Sequence, residues 1–327
     1  MGITEQVAQE ILRLFCHRLD GARGTVKDGE KIWTPLPARH KLNVPALVRH
    51  FQGKHTLGVY QVHPDTETVT WICFDIDKRE GEGKLPVYNR ARIVMAALRD
   101  TWHIPAVLEY TGNGFHVWVF LSQPTPAQVA QTTARLWATK FLDLDGNTIS
   151  VEIFPKQGTL AHTKKRRGNL VQLPLGVHLL TGERSRFFRL IEVRSTPTAD
   201  KYEAVEGKAV LDFLRNVPTV ALGGQVVEKA VAAHLKRKAQ DVPAHTGRRG
   251  PRWVHQFIKG IKEGAPYGLR HRCGRNEGTF SLARYLYRCG LDQELVLLVC
   301  LAVNQRHDPP LSEEVVRGVV QRAIAYG

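Results

Sequence analysis

The chain has 327 residues, 43% hydrophobic and 24% charged, a composition that suits a folded protein with a sizeable core and room for two domains. Its 46 Lys and Arg against 31 Asp and Glu leave a net charge of +15, which favours a polyanionic partner, nucleic acid above all. No apolar run approaches the ~20 residues of a membrane span, and the five cysteines (Cys16, Cys73, Cys273, Cys289, Cys300) form neither a CxxC pair nor a disulfide framework. The start, MGITEQVAQEILRLF, is amphipathic with acids in its first turn, unlike a signal peptide. The expectation is a cytoplasmic protein with no membrane partner. His271-Arg272-Cys273 lacks the second Cys or His pair that a zinc finger needs.

Apolar spacing predicts a helix over residues 3–20, a loop, and a short helix over 44–51. Strand patterns follow at 56–62, 68–77, 106–111, 115–121, 150–154, 169–175 and 187–193. Helical patterns interrupt them at 87–102 and 126–141, the second with Thr125 as N-cap and Pro126 at its first position. The expected fold class is α+β, with a catalytic domain at 1–215. From 216 to 252 the texture turns to Gly, Pro and basic residues around one helix at 227–239, a linker. Residues 253–327 read as a small all-α domain whose last helix is N-capped by Ser312 after Pro309-Pro310. Between 234 and 288 there are thirteen Lys and Arg against three acids, so ten of the fifteen net positive charges fall in about a sixth of the chain. Arg248, Arg249, Arg252, Arg270, Arg275 and Asn276 are therefore the candidate DNA-binding residues.

Three stretches carry chemistry. In WICFDID (71–77) an apolar strand ends on Asp75 and Asp77, which alternation puts on one face with Ile76 on the other. Such a pair is either the polar rim of a sheet or a seat for Mg²⁺ or Mn²⁺. VLEYTGNGFHVWVF (107–120) reads as a hairpin turning at Thr111–Gly114. Its Gly112 and Gly114 allow a ligand close to the backbone, and His116 follows as a candidate phosphate contact. SVEIFPKQG (150–158) puts Glu152 in an apolar strand, with Lys156 and Gln157 after it; a further strand leads to His178. Three carboxylates on strands, a glycine hairpin with His and nearby cations suit two-metal phosphoryl transfer.

These motifs, in this order, resemble the archaeo-eukaryotic primase superfamily: a strand ending in D-x-D (WICFDID), a G-x-G-x-H hairpin (TGNGFH), and a third strand acid (VEIFPKQ). FPKQG and GNLVQLPLGVH resemble the branch with the CRISPR-associated primase-polymerases and the primases of TOTE conflict systems. GRN (274–276), Asn304 and PPL (309–311) resemble a helical primase C-terminal domain. The resemblance implies mixed or antiparallel sheets with flanking helices around an RRM-like core, followed by that helical domain. It implies a primase-polymerase using NTPs or dNTPs on a single-stranded or primed DNA template, with CRISPR adaptation or replication proteins as possible partners. Asp75, Asp77 and Glu152 would hold two catalytic Mg²⁺ or Mn²⁺ ions and His116 the nucleotide's phosphates, with Lys156, Gln157 and His178 contacting nucleotide or template. The zinc-binding cysteine cluster of many relatives is missing. A two-metal nuclease or phosphodiesterase, and a non-catalytic DNA-binding replication factor, are the alternatives.

Overall fold

A computed structural model of the protein describes residues 2–138, 151–161, 163, 166–222, 275–288, 293–305, 307 and 309–325. The chain divides into two compact units, Met1–Ala221 and Leu222–Gly327. Among the described residues no helix is long and apolar enough to cross a membrane, and Cys16, Cys73 and Cys300 are buried free thiols.

The first unit opens with helix α1 (Ile3–Phe15), which buries Val7, Ala8, Ile11, Leu14 and Phe15 along one stripe. It ends five residues before the predicted limit. The expected loop after it contains strands β1 (Gly21–Lys27) and β2 (Glu30–Pro35), joined at Asp28-Gly29 with φ of 53° and 80°. Positive φ at both positions is what a two-residue hairpin with the native strand twist requires, and Asp-Gly supplies it. Helix α2 (Val44–Phe51) starts where predicted, because the Asn43 side chain accepts a hydrogen bond from Ala46 N at 2.9 Å.

The strands β3 (Thr56–Tyr60), β4 (Thr68–Ile76), β5 (Val107–Tyr110), β6 (Phe115–Pro126), β7 (Glu152–Phe154), β8 (Leu170–Gln172) and β9 (Arg186–Glu192) correspond to the seven predicted ones. Two more, β10 (Lys201–Ala204) and β11 (Thr219–Val220), were not expected, nor was helix α5 (Ala209–Arg215). They form a four-stranded antiparallel sheet, β2-β1-β3-β8, and a larger sheet, β10-β9-β5-β6-β4-β7, to which β11 adds in parallel beside β6.

Helix α3 (Lys84–Ala96) continues into a π-helical turn over Ala97–Trp102, and α4 spans Ala127–Ala138. The cap predicted for α4 is not formed. β6 runs on through Thr125 and Pro126, which pair with Val69 and Thr68, and the Thr125 hydroxyl donates to Gln123 O instead of capping the helix. Sheet pairing outweighs the local Thr-Pro signal.

The larger sheet has two buried faces. Ile72, Phe74, Val117 and Val119 point towards α3 and α4. Trp71, Cys73, Trp118 and Phe120 point the other way, into a core shared with α1, α2, α5, β3 and β8. Phe15 stands edge-on to Trp118 and Phe120, with ring centroids 4.9 and 5.1 Å away, and the Trp71 indole donates to Phe15 O at 3.0 Å. The α+β expectation holds.

His50, buried in α2, locks this core to the chain after β8. Its Nε2 faces Leu173 O and Pro174 O at 3.1 and 3.2 Å, and its Nδ1 stands 3.1 Å from His55 O and 3.2 Å from Leu57 N.

The second unit contributes helices α6 (Arg275–Arg288), α7 (Gln293–Asn304) and α8 (Glu313–Ala325) around a core of Leu282, Leu286, Val296, Val299, Val316 and Val320. Asn304 explains the Asn and Pro-Pro-Leu signature: its side chain donates to Leu311 O at 2.8 Å and accepts from Leu311 N at 2.9 Å. It pairs with the backbone as a neighbouring strand would, closing the turn before α8. Val315 N then reaches the Ser312 hydroxyl at 3.4 Å, as expected of an N-cap. The linker helix at 227–239 and the helical pattern at 253–261 lie outside the described residues.

Burial lowers the His50 pKa from its ordinary 6.5, with its backbone hydrogen bonds opposing. The folded state thus resists a proton that the unfolded chain accepts. His50 stabilises fully above about pH 6.5, and that contribution shrinks as pH falls below it. His17, His55, His178 and His307 shift the same way. Between pH 7 and pH 5 the urea midpoint of the unaltered protein should lose ground to that of His50→Gln; equal pH slopes for the two would contradict this account.

Candidate active site

The site follows from strand register. β4 lies between β6 and β7, and its Asp75 stands directly opposite His116 on one side and Glu152 on the other. His116 in turn stands opposite Glu109 of β5. Directly paired residues of antiparallel strands share a face. Glu109, His116, Asp75 and Glu152 therefore form one row across four strands, on the face that carries Trp71, Cys73 and Trp118. The row is where the core face turns polar. Asp77 lies one residue beyond the end of β4, again on the alternation of Asp75.

Glu109, only 1% exposed, holds the row at one end. Its Oε2 accepts from His116 Nδ1 at 3.0 Å and from Trp118 Nε1 at 2.8 Å, and its Oε1 accepts from the Ser185 hydroxyl. His116 Nε2 then lies 3.5 Å from Asp75 Oδ1. Burial works against charge on this ring, yet Asp75 and Glu109 outweigh it and push its pKa up to about 10. Asp77 is held above the usual carboxylate range by burial and then by Asp75 and Glu152, with His116 and Lys31 opposing. That is the mark of a carboxylate cluster short of positive charge.

Glu152 departs from its expected place inside an apolar strand. It is the first residue of β7, its side chain is 52% exposed, and its Oε2 pairs with Lys156 Nζ at 2.5 Å. Among the described residues no three His, Cys, Asp or Glu side chains stand close enough together to hold a metal ion. The donor set nevertheless fits a hard divalent cation: Asp75, Asp77 and Glu152 offer carboxylate oxygens only, at adjacent positions, and Asp77 feels the charge of both others.

The glycine hairpin belongs to the same end of the sheet. A methyl group on Gly112, at φ +98°, would stand 2.5 Å from His178 Cβ and 2.9 Å from Glu183 O. One on Gly114 would strike Ile76 O and stand 3.1 Å from Asp77 Cα. The amides of Gly114 and Asn113 point to the Thr111 hydroxyl, at 3.0 and 3.5 Å. These glycines thus have a packing reason: they let the turn close on the strand end that bears Asp77 and on the loop that bears His178. His178 Nδ1 stands 3.1 Å from the Thr181 hydroxyl and 3.2 Å from Thr181 N, which fixes the ring through that atom. Burial and then Lys31 keep the His178 pKa below its ordinary value. Gln157 is a strut, its amide bound to the Asn169 side chain and accepting from Asn169 N at 3.1 Å.

Two members of the site were missed in the sequence. Lys31, on the unforeseen β2, lies within electrostatic reach of Asp75, Asp77 and His178, its ammonium 5.4 Å from the Trp33 ring centroid. The Asp28-Gly29 turn signal would have revealed its strand. Glu109 is an acid in the apolar strand VLEY, the same signal that singled out Glu152. Of the candidate DNA contacts, Arg275 donates to Pro309 O and Asn276 is exposed at the start of α6. Arg248, Arg249, Arg252 and Arg270 lie outside the described residues.

Residues 34–210, more than half of the chain, match the family model "TOTE conflict system, Archaeo-Eukaryotic Primase domain". The chain belongs to that family. Residues 271–325 match the model Primase C terminal 1. By family this is a primase-type nucleotidyltransferase, and the match starts after Lys31. No curated protein matches the chain. Among solved structures, the primase RepB′ aligns at 12% identity over 98% of this chain and 94% of its own, with a TM-score of 0.34. The polymerase domain of Mycobacterium tuberculosis Ligase D, in complex with DNA, aligns at 14% over 74% and 91%, also with a TM-score of 0.34. At those scores neither likeness carries an argument about this primase domain's chemistry.

A side chain at position 114 would press on the backbone that carries Asp77. Gly114→Ala should lower stability by about 1–3 kcal/mol, read as a lower denaturant midpoint at unchanged m-value. A midpoint equal to that of the unaltered protein would show that the strand end gives way freely.

Proposed function

We propose that the protein is a DNA-directed primase-polymerase, which makes and extends primers from nucleoside triphosphates on single-stranded or primed DNA. The reading rests on one observation above all: the register that aligns His116, Asp75 and Glu152 across three adjacent strands. Asp75, Asp77 and Glu152 would hold two Mg²⁺ or Mn²⁺ ions. When bound, such ions neutralise a triphosphate and activate the attacking 3′-hydroxyl and the leaving pyrophosphate.

The chain's own groups do the positioning. His116, anchored at Nδ1, turns Nε2 towards the acids, where it can donate to a phosphate oxygen. His178, fixed through Nδ1, presents Nε2 at the glycine turn. Lys156, paired with Glu152, would stand beside a triphosphate bound at these acids, where its ammonium could donate to a phosphate oxygen. Gly112 and Gly114 serve the nucleotide by closing the turn, and Gln157 by bracing the loop of Lys156. In this reading residues 1–215 are the catalytic domain, 216–252 a basic linker and 253–327 the helical primase C-terminal domain. Arg248, Arg249, Arg252, Arg270, Arg275 and Asn276 grip the DNA.

Purified protein with single-stranded or primed template, Mn²⁺ or Mg²⁺, and labelled ribo- or deoxyribonucleotides in separate reactions should form dinucleotides or extended primers. Asp75→Asn, Asp77→Asn and Glu152→Gln should each reduce this by about 10³-fold or more with the fold intact. No product from the unaltered protein under any of these conditions would sink the reading, and template degradation without nucleotides would favour a nuclease.

DNA affinity should fall linearly in log Kd against log salt. The triple variant Arg248→Ala, Arg249→Ala, Arg252→Ala should reduce the slope by roughly one for each phosphate that is no longer neutralised. An unchanged slope would remove these residues from the interface.

A further inference from the structure

We propose that Glu109 is a positioning residue of the nucleotide site, fixing at once the ring of His116 and the loop that carries His178; this rests on the primase-polymerase reading above. The observations begin with burial. An ionised carboxylate accepts hydrogen bonds and donates none, and a buried one is tolerated only when its oxygens are satisfied. Glu109 meets that condition with three donors from three places: the His116 ring, the Trp118 indole and the Ser185 hydroxyl.

Each donor transmits a constraint. With Glu109 accepting at Nδ1, His116 has one ring orientation, and Nε2 is the atom left for the acids and for a ligand. Trp118 fixes the carboxylate in turn, since its indole is clamped edge-on by Phe15 and Trp71, with centroids 4.9 and 5.0 Å away. Ser185 carries the link across to the loop. Its hydroxyl accepts from Leu175 N at 2.9 Å, and its amide donates to Gly176 O at 2.9 Å. Leu175 sits at φ +67°, a conformation that a non-glycine residue keeps only when its surroundings impose it. The loop so pinned returns through His178 N, which donates to Glu183 O at 2.8 Å. One carboxylate thus sets the direction of one histidine and the path of the loop bearing the other. A purely structural role would need only that the donors be satisfied; positioning requires that nucleotide binding suffer when the acceptor changes.

Glu109→Gln preserves the shape but replaces one acceptor oxygen with an NH₂, which must face either the donors His116 and Trp118 or the Ser185 hydroxyl, turning that hydroxyl's proton away from residue 109. Calorimetric titration with dATP and Mn²⁺ should give about 10–100-fold weaker binding for this variant, with affinity for a single-stranded oligonucleotide unchanged. Glu109→Asp should recover part of the loss. In the unaltered protein, near neutral pH, ¹⁵N spectra of the imidazoles should show His116 protonated at Nδ1, with a hydrogen-bonded, slowly exchanging proton. That measurement stands even if the variants fold poorly. An unprotonated Nδ1, equal dATP binding by Glu109→Gln, or a parallel loss of oligonucleotide affinity would overturn the proposal. Absence of dATP binding by the unaltered protein would instead sink the primase-polymerase reading, and this proposal with it.

Discussion

Carboxylates set side by side across a strand pair repel, and the arrangement around β4 follows from managing that repulsion. Asp75 and Glu152 stand directly opposite each other, and Asp77 follows one alternation later. Cations stand on either side: His116 between Asp75 and Glu109, Lys156 on Glu152, and Lys31 within reach of Asp75 and Asp77. The compensation is incomplete, since Asp77 still titrates above its ordinary range. A site left with excess negative charge in a partly buried place is suited to divalent cations and costly without them.

The apolar core determines how firmly this polar row can be held. Trp71, Cys73 and Trp118 lie on the same face as Asp75 and His116, one or two alternations back along the same strands. The placement of His116 thus derives from packing of Phe15 and Trp71 around Trp118, and from the indole's hydrogen bond to Glu109. The glycine turn does the same from the other end. Because position 114 has no side chain, the 111–114 turn rests directly on Ile76 and Asp77, so hairpin and acid-bearing strand form one rigid piece.

Much of this was legible in the sequence because it depends on short periods. Alternation put Asp75 and Asp77 together, and the Gly-Asn-Gly turn announced the hairpin. What escaped depends on pairing between distant segments. That His116 stands opposite Glu109 follows from a hairpin register, but that Ser185 completes the carboxylate's shell joins positions 76 residues apart. The β1–β2 hairpin was hidden by its polar composition: apart from Ala22, its strands expose most of their side chains, so no apolar alternation marks them. Thr125-Pro126 misled because a local helix-start signal competes with eight residues of pairing to β4, and the pairing wins. Glu152 lies on a strand as expected but in a different setting, since the short strand β7 leaves its first side chain in solvent.

That setting makes the three acids unequal. Asp75 is gripped by strands on both sides, whereas Glu152 sits on β7, which among the described residues pairs on one side alone. Its ion pair with Lys156 is solvent-exposed, and such pairs contribute about 0–1 kcal/mol. So weak a pair leaves the Glu152 carboxylate open to a stronger partner, and Lys156 does not block the position. Asp75 is thus held from both flanks and Glu152 only loosely tethered, so the fold fixes the two acids with unequal firmness. Were both as deeply held as Glu109, the repulsion between them would have to be met by folding alone, without a ligand to relieve it.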